Sequence, residues 1–165
     1  MKIFVYADPH FGHKGVTQFT KQNGEKLRPW TDVKEMDDAL ISLYNSVVRP
    51  NDKVYFLGDV TLKPSALPIV DRLNGDKVLI KGNHDSAKPS KYLDYFRDIR
   101  AYGSFNKFLL SHIPVHPSQK YRWKGNIHGH LHGNILDDPW YQCVSVEQTE
   151  FKPIAIETVM RRYEG

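Results

Sequence analysis

The sequence is poor in cysteine and has no long apolar segment, and each absence excludes a class of protein. Cys143 is the only cysteine among 165 residues, so neither an internal disulfide framework nor a cysteine-rich structural zinc site can form. No apolar run approaches the ~20 residues that span a bilayer. Asp8 interrupts the N-terminal segment too early for the apolar core of a signal peptide. We therefore expect a cytoplasmic protein with no membrane partner.

The sequence also has little excess of one charge over the other. The chain has 23 Lys and Arg against 19 Asp and Glu, a formal net charge of +4, and the basic residues form no block. The pI of about 9.1 mildly favours anionic partners such as phosphates or nucleic acid, although scattered charges are equally typical of a solvated surface. With 40% apolar residues and no linker, the sequence predicts one globular domain over residues 1–165.

Four short apolar runs alternate with helical patterns. The runs are "KIFVYA", "KVYFL", "KVLI" and "KFLL", and because their polarity does not alternate we expect strands buried on both faces. Apolar residues at three-four spacing from Val33 to Val47 predict an amphipathic helix, capped by Thr31 or Asp32. Shorter helices are predicted in "PSALPIVDRLNG" and "SKYLDYFRDI", and "KPIAIETVMRRYEG" predicts a last strand with a helical turn. This order is typical of α/β architecture.

Polar residues with metal-binding atoms follow the strands. They are Asp8, His10, Asp59, Asn83, His84, Asp85 and His112, and "NIHGHLHG" adds His128, His130 and His132 after a short strand around Ile127. Each of the other motifs alone is typical of a turn or of an ordinary histidine, whereas "HGHLH" is stronger evidence, because neighbouring imidazoles on one face repel once protonated. Ligands of open α/β sheets bind at the carboxyl ends of the strands, so together these residues predict one site with nitrogen and oxygen atoms for two metal ions.

The composition of this set constrains the metal and the substrate. Apart from Asp85, the set has only two carboxylates, Asp8 and Asp59, beside several imidazoles, which favours Mn, Fe, Co, Ni or Zn over Mg or Ca. Two divalent ions, two aspartates and a hydroxide leave a net charge of about +1. A site of that charge suits a phosphate ester.

In order along the chain, these motifs resemble the five signature blocks of the calcineurin-like metallophosphoesterases. The blocks are Asp8-x-His10, Gly58-Asp59, Gly82-Asn83-His84-Asp85, His112 and Gly129-His130-x-His132. The resemblance runs from residue 2 to about residue 133, and "ADPHFGHKG", "RLNGDKVLIKGNHD" and "IHGHLHG" resemble a compact bacterial and phage branch. It implies an αββα sandwich, in which helices flank two mixed sheets and the metal site lies at the carboxyl ends of the strands.

The resemblance also implies roles for individual residues. One ion would bind Asp8, His10 and His132, the other Asn83, His112 and His130, and Asp59 would bridge the two. Manganese is the expected metal, with iron, zinc, nickel and cobalt as alternatives. A bridging hydroxide would attack phosphorus while His84 protonates the leaving oxygen. Asp85 is predicted either to orient His84 in catalysis or to cap a helix.

Further candidates for substrate contact lie outside the shared blocks, each with a structural alternative. They are His13, Arg28, Lys81 and His128, which as alternatives would be an exposed loop histidine, two solvated cations and a hydrogen-bonded sheet histidine. In the loop "HIPVHPSQKYRWKGN", the side chains of Lys120, Tyr121, Arg122 and Trp123 either stack a base or sugar or pack the loop down. After His132 the sequence departs from the branch, because the Asn-Val-Gly stretch common before the last strand is absent.

The sequence therefore predicts a phosphoesterase that uses two metal ions. The absence of a cap domain favours phosphodiester or nucleotide substrates, with nucleic acid included. The alternatives are a phosphomonoesterase acting on small molecules or phosphoprotein and a non-catalytic module that binds phosphate or nucleotide. An intact His84 favours an enzyme, because a binding module has no need of an acid.

Overall fold

Nine strands form two mixed sheets in the computed structural model, which describes residues 1–165. In chain order the strands are β1 (Ile3–Tyr6), β2 (Lys53–Phe56), β3 (Asp76–Ile80), β4 (Asp98–Arg100), β5 (Gly103–Phe105), β6 (Phe108–Ser111), β7 (Gly125–His128), β8 (Tyr141–Cys143) and β9 (Ile154–Ala155). The first sheet has the order β4-β3-β2-β1-β9 and the second β5-β6-β7-β8. All four apolar runs of the sequence lie in strands, as predicted.

The strands that precede the candidate ligands are parallel within each sheet. In the first sheet β1 pairs with β2 and β2 with β3, both parallel, and in the second sheet β6, β7 and β8 are parallel. Beyond their strands, Ala7 and Ser145 form a parallel bridge. Since that bridge joins the residues after β1 to those after β8, the carboxyl ends of both sheets meet at one place.

Alternate side chains of β1 enter two different cores. Val5 belongs to a buried cluster with Tyr55, Leu110 and Ile127, which lies between the two sheets. Phe4 and Tyr6, on the other face, pack in a second cluster against the helix of residues 33–47. Burial on both faces explains why the strand sequences do not alternate in polarity, and the αββα sandwich is confirmed.

The helices are α1 (Val33–Val47), α2 (Pro89–Tyr92) and α3 (Ile156–Arg161), and 3-10 helices cover Lys14–Gln18, Pro64–Arg72, Pro117–Tyr121 and Val146–Gln148. The side chain of Asp32 caps α1 by accepting from the backbone N–H of Glu35, as one of the two predicted caps. No helix has the length and apolar character that crossing a membrane requires.

Two helix predictions were wrong in type or extent. Residues 64–72 form a 3-10 helix with Pro68 inside it, because proline has no N–H for an α-helical bond and its ring clashes with the preceding turn. The third predicted helix is only four residues long, and the chain at Asp98 already belongs to β4. The final strand and helical turn are present as β9 and α3.

Candidate metal centre

Six of the predicted ligands form two groups at the shared carboxyl edge. Asp8, His10 and His132 make one group, and Asp59, His112 and His130 make the other, with the ligand atoms of each group within 4.8 Å of one another. The first group draws on β1 and β7, the second on β2, β6 and β7. We call them the first and second ligand groups.

Asp59 lies between the two groups. Its Oδ2 is 3.5 Å from Nε2 of His10 and 3.3 Å from Nε2 of His112. Asn83 completes the second group, with its Oδ1 at 2.7 Å from Nε2 of His112 and 3.1 Å from Nδ1 of His130. The bridging position expected for Asp59 and the amide ligand expected at Asn83 are thus compatible with the geometry.

The backbone at these residues is strained. Of the nine non-glycine residues with positive φ, five are candidate ligands, namely Asp8, His10, Asp59, His130 and His132. Residues other than glycine rarely adopt this conformation, and where it persists it is imposed by the surrounding structure, commonly at functional sites. Here it turns each side chain toward the common edge within two to four residues of the end of a strand.

Two glycines let the ligand loops approach one another. A Cβ on Gly129 would lie 2.7 Å from Oδ2 of Asp8 and 2.8 Å from Cβ of Ala7. A Cβ on Gly82 would clash with the backbone N and Oδ1 of Asp59. Glycine is therefore required where β7 leads into the first ligand group and where β3 passes the second.

A buried charged chain supports the first ligand group. Nδ1 of His132 donates to Oε1 of Glu147 at 2.7 Å, and the same oxygen accepts from Arg28 at 3.0 Å. Arg28 also donates to the backbone carbonyls of Asp8 and Pro9, at 2.6 Å each. Because the Arg28 and Glu147 side chains are at most 2% exposed, this ion pair is shielded from water and holds the first ligand group from two sides.

Glu147 and Ser145 are site residues that the sequence reasoning missed. Ser145 Oγ donates to Oδ2 of Asp8 and accepts from the backbone N–H of His132. Both residues follow β8, which is parallel to β7 and delivers its carboxyl end to the same edge. The short apolar "YQCV" before "SVE" was the available signal, because it repeats the pattern of an apolar run that ends in polar residues.

Backbone atoms support the second ligand group. Nδ1 of His112 donates to the carbonyl of Leu57 at 2.6 Å. The carboxylate of Asp85 accepts from the backbone N–H groups of Asp59, Val60 and Gly82 at 2.7–3.0 Å. The predictions that Asp85 orients His84 or caps a helix are corrected, because both of its oxygens hold the loops after β2 and β3 together.

Burial and contacts with charged neighbours shift the pKa values of the candidate ligands. Burial raises the pKa of Asp8 to about 6 and lowers the pKa of His10 to about 4, because the charged form of each loses solvation. Burial alone would also raise the pKa of Asp59, but its bonds with His10 and His112 outweigh that effect and hold the pKa well below its usual range. For His132 the bond and charge of Glu147 outweigh burial, so the pKa of the imidazole is raised.

The residues fit a metal site. Asp8 Oδ1 and His10 Nε2 are buried without a hydrogen-bond partner, a costly state for a polar atom unless a cation satisfies it. In the second group, Asn83 Oδ1, His112 Nε2 and His130 Nδ1 converge within 3.3 Å of one another. Neutral imidazole, amide and carboxylate atoms in this arrangement are a donor set for divalent transition metals.

Two of the predicted substrate contacts are corrected. Arg28 is 1% exposed and its guanidinium is occupied by Glu147 and backbone carbonyls, so it cannot clamp a substrate phosphate. His128 is fully buried with Nδ1 bonded to the carbonyl of Gly129, which is the structural alternative that its place in β7 favoured.

The other two candidates stay predictions. Nδ1 of His13 lies 3.0 Å from Nδ1 of His10 and its ring stacks on that ligand, while the side chain is half-buried. Lys81 is exposed and lines a cavity that also contains Asn83 and His112. His13 therefore touches a ligand of the first group, and Lys81 lies at the edge of the second.

Comparison with known proteins agrees with this geometry. The model of the calcineurin-like phosphoesterase family matches residues 1–152. The uncharacterized protein MJ1445 of Methanocaldococcus jannaschii is 36% identical over 99% of this chain and 92% of its own length. The gene 66 protein of Mycobacterium phage L5 is 28% identical over 79% of this chain and 77% of its own length.

A solved structure extends the agreement to the fold. The crystal structure of the protein of unknown function AQ665 from Aquifex aeolicus is 26% identical in sequence and superposes with a TM-score of 0.74, covering 97% of this chain and 98% of that one. With the family match over most of its length, the chain belongs to the calcineurin-like phosphoesterases, a family of metal-dependent phosphoesterases. The predicted superfamily is confirmed.

Proposed function

We propose that the protein is a hydrolase of phosphate esters that works with two divalent transition-metal ions, manganese first among them. The observation that carries the proposal is the pair of ligand groups joined at Asp59, in which Asp8 Oδ1 and His10 Nε2 are buried without a hydrogen-bond partner. When bound, two such ions supply Lewis acidity toward phosphoryl oxygens and lower the pKa of water. Both ligand groups lie at one edge of the sheets and would hold the two ions there.

His84 supports catalysis over simple binding. Its backbone N–H donates to Oδ1 of Asp59 at 2.9 Å, its ring centroid lies 5.7 Å from that of His10, and its side chain is exposed. The imidazole thus stands at the open side of the centre, where it can give a proton to a leaving oxygen. Histidine is the side chain most often used for general-acid work in enzymes.

Two cavities beside the centre favour diesters over monoesters. One, of about 350 Å³, is lined by His130 and His132 together with Phe19 and Lys21. The other, of about 360 Å³, is lined by Asn83 and His112, and the two have no lining residue in common. A phosphodiester has a substituent on each side of phosphorus and can occupy both cavities, whereas a monoester fills one.

Steady-state assays test the proposal. We expect the manganese-loaded protein to hydrolyse p-nitrophenyl diesters with a higher kcat/KM than p-nitrophenyl phosphate, and His84→Ala to lower kcat by ~10²–10⁴. Metal content of that variant, measured by plasma emission spectroscopy, is expected to equal that of the parent. His116→Ala is the matched control, because His116 is an exposed loop histidine.

Three results would contradict parts of the proposal. No hydrolysis of any ester with any of the five candidate metals would leave the binding-module alternative. A preference for the monoester would reverse the choice of substrate. Loss of metal in His84→Ala would make His84 a ligand instead of an acid.

A further inference from the structure

A third cavity lies beside the 360 Å³ cavity at the second ligand group. It measures about 290 Å³ and is lined by Tyr102, Leu109, Val115, Gln119, Arg122 and Trp123. Tyr102 and Val115 also line the 360 Å³ cavity that holds Asn83 and His112. The two cavities are therefore neighbours on one surface. A molecule with its phosphate at the metal centre can reach the 290 Å³ cavity past Tyr102.

The lining of the 290 Å³ cavity suits an aromatic ligand. Leu109 is buried and forms an apolar floor, while Tyr102 is 57% exposed. Arg122 has its Cζ over the Trp123 ring, 5.4 Å from the ring centroid, so the guanidinium covers one face of the indole. Gln119 adds an amide that can donate and accept.

The fold holds the indole in place. The backbone N–H of Trp123 donates to the carbonyl of Gln119 at 3.2 Å, and its carbonyl accepts from Nε1 of Trp140 at 3.1 Å. Trp123 is half-buried. A half-buried aromatic side chain with a fixed backbone loses little entropy when a flat ligand stacks on it.

We propose that this cavity, the Trp123 subsite, binds the base of a nucleotide whose phosphate lies at the metal centre. The inference deepens the proposed function, on which it rests, by naming the substrate class. Stacking on Trp123 and Tyr102 recognises the base, and Arg122 and Lys81 attract the negative charge of the phosphate. Base stacking on aromatic side chains is sequence-tolerant, so the subsite selects for a base over an aliphatic group and discriminates little among bases.

Other residues of the same loop do not contribute. Tyr121 is 83% exposed and lies outside the lining of the cavity. The amine of Lys120 is bound to the carboxylate of Asp138. Of the four cations and aromatics predicted from the loop sequence, the subsite therefore uses Arg122 and Trp123.

Calorimetric titration of the manganese-loaded protein with two phosphonates tests the subsite without catalysis. The first is the phosphonate analogue of AMP and the second that of ribose 5-phosphate. In both, a carbon replaces the ester oxygen, so neither is hydrolysed, and they differ only in the base. We expect the adenine compound to bind about ten-fold more tightly. Trp123→Ala should remove most of that ratio, and Tyr102→Ala part of it.

Matched variants separate stacking from loss of structure. Trp123→Phe keeps an aromatic ring and should retain most of the affinity ratio, whereas Tyr121→Ala removes an exposed aromatic of the same loop and should leave the ratio unchanged. Equal affinity of the parent protein for the two phosphonates would overturn the proposal. So would an adenine preference that survives both Trp123→Ala and Tyr102→Ala.

The outcome is independent of the proposed activity. A preference for the adenine compound in a protein that hydrolyses no ester would support the subsite and overturn the enzyme. Hydrolysis of esters by a protein without any base preference would support the enzyme and overturn the subsite.

Discussion

The two ligand groups are supported in different ways. The first group depends on side chains from distant parts of the chain, since Glu147 holds His132 and Arg28 holds Glu147. The second depends on the backbone, through the carbonyl of Leu57 and the N–H groups gathered by Asp85. The first half of the centre thus depends on side chains far away in the sequence, and the second on backbone groups together with the carboxylate of Asp85.

The difference follows from where the chain places each group. The second group lies at the ends of β2, β3, β6 and β7, and its loops bond to one another directly. The first group also needs the segments around Arg28 and Glu147, which lie beyond the strands that supply its ligands. Partners of a metal-bound histidine tune its orientation and basicity, so the buried ion pair is a part of the site that no ligand motif contains.

Asp59→Ala is expected to have the largest effect, because Asp59 touches both groups and its loss removes the distinction between them. We expect the variant to lose manganese from both groups and to lower kcat/KM by more than ~10³, since metal catalysis is worth several kcal/mol. Metal content after dialysis and activity at saturating manganese measure the two effects. Asp71→Ala, at an exposed aspartate, is the control. Retention of both ions would refute the bridging position.

Glu147→Gln is expected to weaken one group only. The amide still accepts from His132 but carries no charge, and it leaves Arg28 without its buried counter-ion. Manganese affinity of the first group should fall by ~10–100-fold, while that of the second stays within a factor of about two.

Manganese titration followed by electron paramagnetic resonance resolves the two binding steps of that variant. Glu157→Gln changes an exposed glutamate and should leave both steps unchanged. Equal weakening of the two steps would show that the two ligand groups share their supports.

Much of the fold could be predicted because short apolar runs and helix caps are local signals. β1, β2, β3 and β6 appear where apolar residues predicted them, and α1 begins at its predicted cap. β4, β5 and β8 escaped prediction, since each is only three residues long and depends on its neighbour strand for hydrogen bonds. Pro68 is visible in the sequence, but the sequence does not show that residues 64–72 stay helical around it as a 3-10 helix, because packing of that segment decides this.

The candidate ligands could be located because each follows a strand, whereas the pairing of Arg28 with Glu147 could not. Arg28 looked like a surface cation, and its burial depends on Glu147, 119 residues away in the chain. His128 shares the alternation of His130 and His132 up to the end of β7, but the positive φ of the latter two breaks the alternation and turns them to the edge. Neither a long-range ion pair nor a strained φ leaves a mark in local sequence.

Ser145→Ala is expected to have the smallest effect of the three substitutions, and it tests the support of the first ligand group alone. The serine hydroxyl donates to Oδ2 of Asp8 and accepts from the N–H of His132, so it touches two ligands of the first group and none of the second. Loss of a hydrogen bond to a charged group is worth about 1.5–3 kcal/mol at most, and the N–H of His130 still donates to the same Asp8 oxygen. We therefore expect only about a five- to ten-fold loss of manganese affinity, confined to the first group. Ser90→Ala, at an exposed serine, should change neither binding step. A Ser145 variant that weakened the second group as much as the first would show that Asp8 contributes to the binding of both ions.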